Sequence, residues 1–449
     1  MYIRVCLSLA LLAAMPAWPQ VGASAPGGAA NESQMQTPPP VSDEAYSMEL
    51  GSEARSNYLR AGLVINTAYD DNVLPETGTE PISDVSYTIS PTITFDQTTP
   101  RLHQTLTYRP GFTFYQHTSD LNEVDQNLAL GFQYRLSPHV TASVTDTLRK
   151  SSTAFNQFYA LSGGAISGSA QSSLPPVFAP TADQLTNATN VALSYQCSRD
   201  SMIGASGALT ILHYPNPSEV QGLYNSNSRG AAAFYSYRLS RAQYMGVTYQ
   251  YSTILSSLPS SQSKVQAQTD SETLTHTVLI FYSVYLSPNL SISVSSGPEY
   301  LDLSQYPIPP IRSWTPAAMV SMGWQGRHTS FAARYAHIVS GGGGLQGAFN
   351  SNSAGASARW QMARTWTLGS TASYSINKNV SQFSQSNPGG HALSGAVTVQ
   401  HPISDHLNMD FGYMRLSQSY PNIGAVSNAP NANREYVSIS YQFARPLGR

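Results

Sequence analysis

The side chains that could do chemistry are scattered rather than grouped. The ten histidines are spread along the 449 residues, and none forms an HxxxH pair of the kind that holds zinc on a helix. Serine is so abundant that a Ser/His pairing carries no information. The glycine run Gly341–Gly344 lacks the Lys-Ser/Thr and the helix that a phosphate cradle needs, so it reads as a loop turn. Asp70-Asp71-Asn72, with Glu76, Glu80 and Asp84 nearby, offers oxygen ligands for a divalent cation. The spacing matches no calcium loop, and Asp and Asn also serve turns. No metal, cofactor or catalytic residue is therefore assigned, and the chain is not expected to be an enzyme. The residues with a clear chemical pattern are basic. Arg60, Arg109, Arg135, Arg238, Arg334 and Arg359 all fall on the polar side of alternating segments, with Asp96 and Asp410 as acids on the same side.

Alternation is the property that positions them. In Tyr436-Val437-Ser438-Ile439-Ser440-Tyr441-Gln442-Phe443, the residues Val437, Ile439, Tyr441 and Phe443 share one face, and Tyr436, Ser438, Ser440 and Gln442 share the other. Side chains on a strand point alternately to its two sides, so such a segment has one oily and one wet face. Leu59, Ala61, Leu63 and Ile65 oppose Arg60, Gly62 and Asn66. Val85, Tyr87, Ile89, Ile93 and Phe95 oppose Ser86, Thr88, Thr94 and Asp96, with Pro91 suggesting a bulge or bend. About eighteen such segments follow one another, each near the roughly 9–11 residues that a tilted strand needs to cross a bilayer. Short links such as Ser137-Pro138, Ser240-Arg241 and Pro402-Ile403-Ser404 alternate with long polar ones such as 215–227, 256–269 and 421–432. Nine long and eight short links would put both termini on the short-turn side.

Composition agrees. Charged residues make up 11% of the chain, against roughly 25% in soluble proteins. Mean hydropathy is nonetheless −0.22. Ser, Thr, Gln, Asn, Gly and 27 Tyr fill the difference. Lipid on one face, water on the other and aromatics at both interfaces require that mixture. A net charge of −2 argues against a nucleic-acid partner. Residues 1–25 read as a secretory signal: Arg4, an apolar core from Val5 to Ala14, then small residues ending in Ala23-Ser24-Ala25. Pro26 disfavours a cut directly after Ala25. Residues 26–56 read as a coreless periplasmic leader and 57–449 as the barrel. After removal of the signal only Cys197 remains, so no internal disulfide is expected.

The fold class expected is all-β: a single transmembrane up-and-down antiparallel β-barrel of about 18 strands. The longest link, 151–185, is the third on the long-loop side. It offers Phe155, Phe158, Tyr159 and Phe178 for an apolar constriction, or else forms a surface loop. Arg60, Arg135, Arg238 and Arg359 lie near the short-turn ends. There they could form a positive ring at one mouth, as anion-favouring pores do, or pair with carboxylates.

Ala68-Tyr69-Asp70-Asp71-Asn72-Val73 resembles a phrase found early in some outer-membrane β-barrel porin families, several of which accompany exopolysaccharide gene clusters. The aromatic ending at Phe443 and the turns at Leu136-Ser137-Pro138 and Leu286-Ser287-Pro288 are similar too. The resemblance implies a Gram-negative outer-membrane location among lipid and lipopolysaccharide, with insertion by the barrel-assembly machinery. It also implies passage of small hydrophilic solutes or saccharides. The alternative is a plugged, non-channel barrel that serves polysaccharide export or attachment, or membrane structure.

Overall fold

The computed structural model describes residues 57–73, 80–155, 183–216, 223–258, 270–287, 289–305, 308–341, 343–380, 389–420 and 431–446. Among the described residues the chain forms eighteen strands. The first nine are β1 (Tyr58–Asp70), β2 (Asp84–Thr98), β3 (Leu102–Tyr115), β4 (Glu123–Arg135), β5 (Val140–Ser151), β6 (Gln184–Gln196), β7 (Ser201–His213), β8 (Asn225–Ser240) and β9 (Gln243–Ser257). The second nine are β10 (Ser271–Ser287), β11 (Leu290–Gln305), β12 (Ile308–Gln325), β13 (Thr329–Gly341), β14 (Ala348–Gln361), β15 (Thr367–Asn379), β16 (Gly390–Pro402), β17 (Leu407–Ser419) and β18 (Asn431–Pro446). Each pairs antiparallel with its neighbours in sequence, and β1 pairs with β18, so the sheet is a closed up-and-down barrel. Closure pairs the strand edges, as a barrel in lipid requires, except that β12 pairs with β13 only from Ala318 to Gln325, so that Pro316 lies beyond that ladder.

The alternation dictates which way the wall faces. On β18, Val437, Ile439, Tyr441 and Phe443 are exposed outward, while Ser438 and Ser440 are buried on the lumen side. The closing seam sets Ala61 against Phe443 and Ile65 against Ile439, apolar to apolar. An outward exception is Asp146 on β5, which shares a side with Leu148 and accepts hydrogen bonds from Asn187 Nδ2 (3.0 Å) and Thr189 Oγ1 (2.5 Å).

Two expectations need correction. β11 ends at Gln305 and β12 starts at Ile308, so one link on the long-loop side is short and the strict alternation of link lengths fails there. Pro91 introduces neither bulge nor register shift. The β2–β3 ladder lapses between Ile89↔Phe112 and Ile93↔Tyr108 and resumes in the same register. Pro91 and Pro110 then stand opposite each other, and neither has an N–H to give. The bulges lie elsewhere, between Arg238 and Ser240, Tyr285 and Ser287, and Leu303 and Gln305.

Candidate functional site: a lumen narrowed by two inward segments

The basic residues singled out by the sequence all face the lumen, on the parity of the buried and polar positions. Four of them sit near the short-turn ends, on β1, β4, β8 and β14. Arg60 and Arg238 meet carboxylates. Arg60 Nη2 lies 3.4 Å from Asp96 Oδ2. Arg238 donates Nε and Nη2 to Asp200 Oδ1 at 3.0 and 2.8 Å, and Nη2 also reaches the Arg199 carbonyl at 2.9 Å. Arg135 ends β4 exposed, and Arg359 stands opposite Ser330 and Gly369. The mouth is therefore a mixed ring rather than a bare positive one. Higher in the wall, Arg334 stands between Ser321 and Gly355. Asp410 stands opposite Gln400 and accepts from Ser438 Oγ at 3.2 Å.

Arg109 belongs to a group that the sequence reading did not assemble. It is opposite Asn127 of β4, which is opposite Arg149 of β5. Two guanidinium groups thus share one row across three strands. Asp125 and Glu123 follow on the same side of β4. The signal was present: Arg149 has the opposite parity to Val144 and Leu148.

The acidic stretch after β1 is occupied by protein donors. Asp70 receives Arg434 Nε and Nη2 at 2.5 and 2.8 Å, with both side chains almost fully buried. Asp71 accepts the backbone N–H of Asn433 at 2.7 Å. Asp84 accepts the backbone N–H groups of Val85 (2.7 Å), His117 (3.0 Å) and Thr118 (2.8 Å), and Thr118 Oγ1 at 2.7 Å. These acids pin the ends of the loops. Glu76 lies outside the described residues.

The first inward segment leaves the end of β5. Thr153 Oγ1 donates to Glu123 Oε1 at 3.2 Å. Ala154 and Phe155 then pack against Met414, Leu416 and Ala432 of β17 and β18. Phe155 is only 5% exposed, and its ring centroid lies 4.4 Å from the Arg434 guanidinium carbon. A residue that follows β5 is thus packed on the inner wall of β17 and β18, strands separated from β5 by β1 to β4. Of the four aromatics expected at a constriction, Phe155 is placed in the lumen. Phe158, Tyr159 and Phe178 lie outside the described residues.

The second segment is the glycine run, a loop turn between β13 and β14 on the long-loop side as its sequence suggests, but folded into the lumen. Above His337, β13 bends into the lumen. Val339 N–H is bound by Glu299 Oε2 of β11 at 2.9 Å. Ile338 packs with Leu279 and Ala317, and Val339 with Leu301 and Leu303. Gly341 stands against Ile254 of β9, and Gly344 against Tyr214 and Leu212 at the end of β7. The Tyr224 N–H donates to the Gly344 carbonyl at 2.8 Å, and Leu345 is 1% exposed. Gly343 and Gly344 have φ of 58° and 111°. Side chains rarely tolerate such values, and a Cβ on Gly344 would lie 2.5 Å from Tyr214 Oη. Glycine therefore serves close approach to the inner wall. No spacing in the sequence indicates this, because the partners come from β7, β9 and β11.

No protein-family profile matches the chain, and no curated protein matches it. Solved structures similar to it include OccAB4 of Acinetobacter baumannii, at 8% identity, 88% of this chain, 100% of that one and a TM-score of 0.40. OpdQ of Pseudomonas aeruginosa matches at 10% identity, 86% and 97% coverage and a TM-score of 0.41. The FrpB iron transporter of Neisseria meningitidis (F3-3 variant) matches at 10% identity, 86% and 81% coverage and a TM-score of 0.37. At these identities and scores no role passes from those proteins to this chain.

Proposed function

We propose that the chain is an outer-membrane channel for small hydrophilic solutes, saccharides among them. The observation that carries this reading is the closed eighteen-strand wall with an apolar outside and an inside of Arg, Asp, Ser, Thr, Asn and Gln. Barrels of about 16–18 strands leave an aqueous channel, and an apolar belt bounded by aromatics fits a bilayer. On this reading the eight short turns face the periplasm, and the outer belt meets lipid and lipopolysaccharide. The alternating strand that ends near Phe443 is presented to the assembly machinery. The Phe155 segment and the glycine tip narrow the lumen from opposite sides, so passage is restricted to small molecules.

The test is liposome swelling with sugars of graded size, together with single-channel conductance of protein that shows the heat-modifiable gel shift of a folded barrel. Swelling that falls off as the sugar grows supports the channel. A folded barrel that neither swells liposomes nor conducts overturns it in favour of a plugged structural or export-associated barrel.

A further inference from the structure

The arginines are not spread evenly over the barrel. Five of the eight short turns carry one: Arg101, Arg199, Arg241, Arg327 and Arg364. Just inside them, Arg60, Arg135, Arg238 and Arg359 line the same mouth. Acids at this end are fewer. Asp96 and Asp200 already meet Arg60 and Arg238, and Asp405 lies in the β16–β17 turn. Arg101, Arg135, Arg199, Arg327 and Arg364 are exposed, and no ion pair joins any of them to another described residue. The formal net charge of the whole chain is −2, so an excess of acid lies elsewhere.

Part of that excess is tethered to this mouth. Residues 26–56 lie outside the described residues. Their sequence holds Glu32, Asp43, Glu44, Glu49 and Glu53 against Arg55 alone. The segment runs into Tyr58, the first residue of β1, which pairs with Pro446 at the short-turn end. Strands about 4.8 Å apart and tilted by about 40° close into a mouth roughly 35 Å across when there are eighteen of them. Glu53 is five residues before Tyr58, and Asp43 is fifteen. At about 3.4 Å per extended residue they reach up to about 17 and about 50 Å from it, which covers the rim. One exposed guanidinium–carboxylate pair is weak. Several on one tether reinforce each other, because the tether holds the later ones at a high effective concentration.

We propose that residues 26–56 dock on the arginine rim of the short-turn mouth and hold their carboxylates over it. The docked segment shields the mouth, so an anion entering from that side must displace it. The inference goes beyond the channel reading and fails separately from it, because contact between leader and rim is read whether or not the lumen conducts.

Cys197, exposed in the β6–β7 turn two residues from Arg199, is the handle for the test. The exported full chain with Cys6→Ser is labelled there with a benzophenone maleimide. It is reconstituted at low density in phosphatidylcholine vesicles, irradiated and read by mass spectrometry. The expected result is cross-links from Cys197 to residues 26–56 of the same chain. They should fall several-fold in about 1 M salt, where the screening length is about 3 Å. Glu32→Gln, Asp43→Asn, Glu44→Gln, Glu49→Gln and Glu53→Gln together should remove them too, and should raise anion preference, seen as a shifted reversal potential. Arg199→Gln with Arg327→Gln and Arg364→Gln leaves the leader intact, should also remove them, and covers the case of a leader variant that is not exported. Label found only on lipid or on barrel residues overturns the proposal. So do leader cross-links that persist unchanged in high salt or in either variant. Leader labelling that phosphatidylglycerol in the vesicles abolishes also overturns it, and gives the rim to lipid head groups instead.

Discussion

Gly344→Ala should unseat the glycine tip. Two costs fall on the seated form alone. At φ 111° an alanine backbone is strained, worth about 1–3 kcal/mol. Its Cβ would also lie 2.5 Å from Tyr214 Oη, and Tyr214 is fully buried; overpacking of that kind costs about 1–3 kcal/mol more. The seated tip is thus weakened by about 2–6 kcal/mol, and each 1.4 kcal/mol is roughly tenfold in an equilibrium. A shift of at least about 30-fold toward the released tip follows. The wall ladders do not include Gly344, so the barrel itself should keep its gel shift and its thermal transition. Single-channel recording should show a larger conductance or flicker to a larger level. Gly347→Ala is the comparison: its φ is 89°, but the nearest atom to an added Cβ is Gln305 Oε1 at 3.9 Å. It bears only the backbone cost and should give the smaller effect. Unchanged conductance in a folded Gly344→Ala channel, with Tyr214 as protected from modification as before, would refute a tip seated in the permeation path.

Other substitutions test other parts of the lumen. Arg434→Ala leaves Asp70 buried without its bidentate partner and should cost about 3–5 kcal/mol, read as urea unfolding from vesicles; Asp70→Asn in the same chain should recover part of it. Phe155→Ala removes the ring beneath Arg434 and its contact with β17 and β18, so conductance should rise; a fall, or no change, would place that segment away from the ion path. Asp96→Asn with Asp200→Asn frees Arg60 and Arg238 from their carboxylates. Anion preference should increase, seen as a shifted reversal potential under a salt gradient, and the gain should shrink at high salt as screening grows.

The sequence by itself determined the wall. A period of two fixes which side of each strand is oily. Repeated from Tyr58 to Pro446, it sets strand number, lumen-facing parity and the short turns, because a one-residue slip would invert every side chain. Arg60, Arg109, Arg135, Arg238, Arg334, Arg359, Asp96 and Asp410 were legible as lumen-facing for that reason alone. Their partners were only partly legible: Arg60–Asp96 joins neighbouring strands, but Arg434 meets Asp70 because the first and last strands close on each other. What fills the lumen was decided by tertiary structure. Phe155 reaches β17 and β18, and Gly344 reaches Tyr214, across distances in sequence that no local pattern spans. Pro316 was visible throughout, yet its place beyond the β12–β13 ladder was not. Register decides that, and register belongs to pairs of strands rather than to either one.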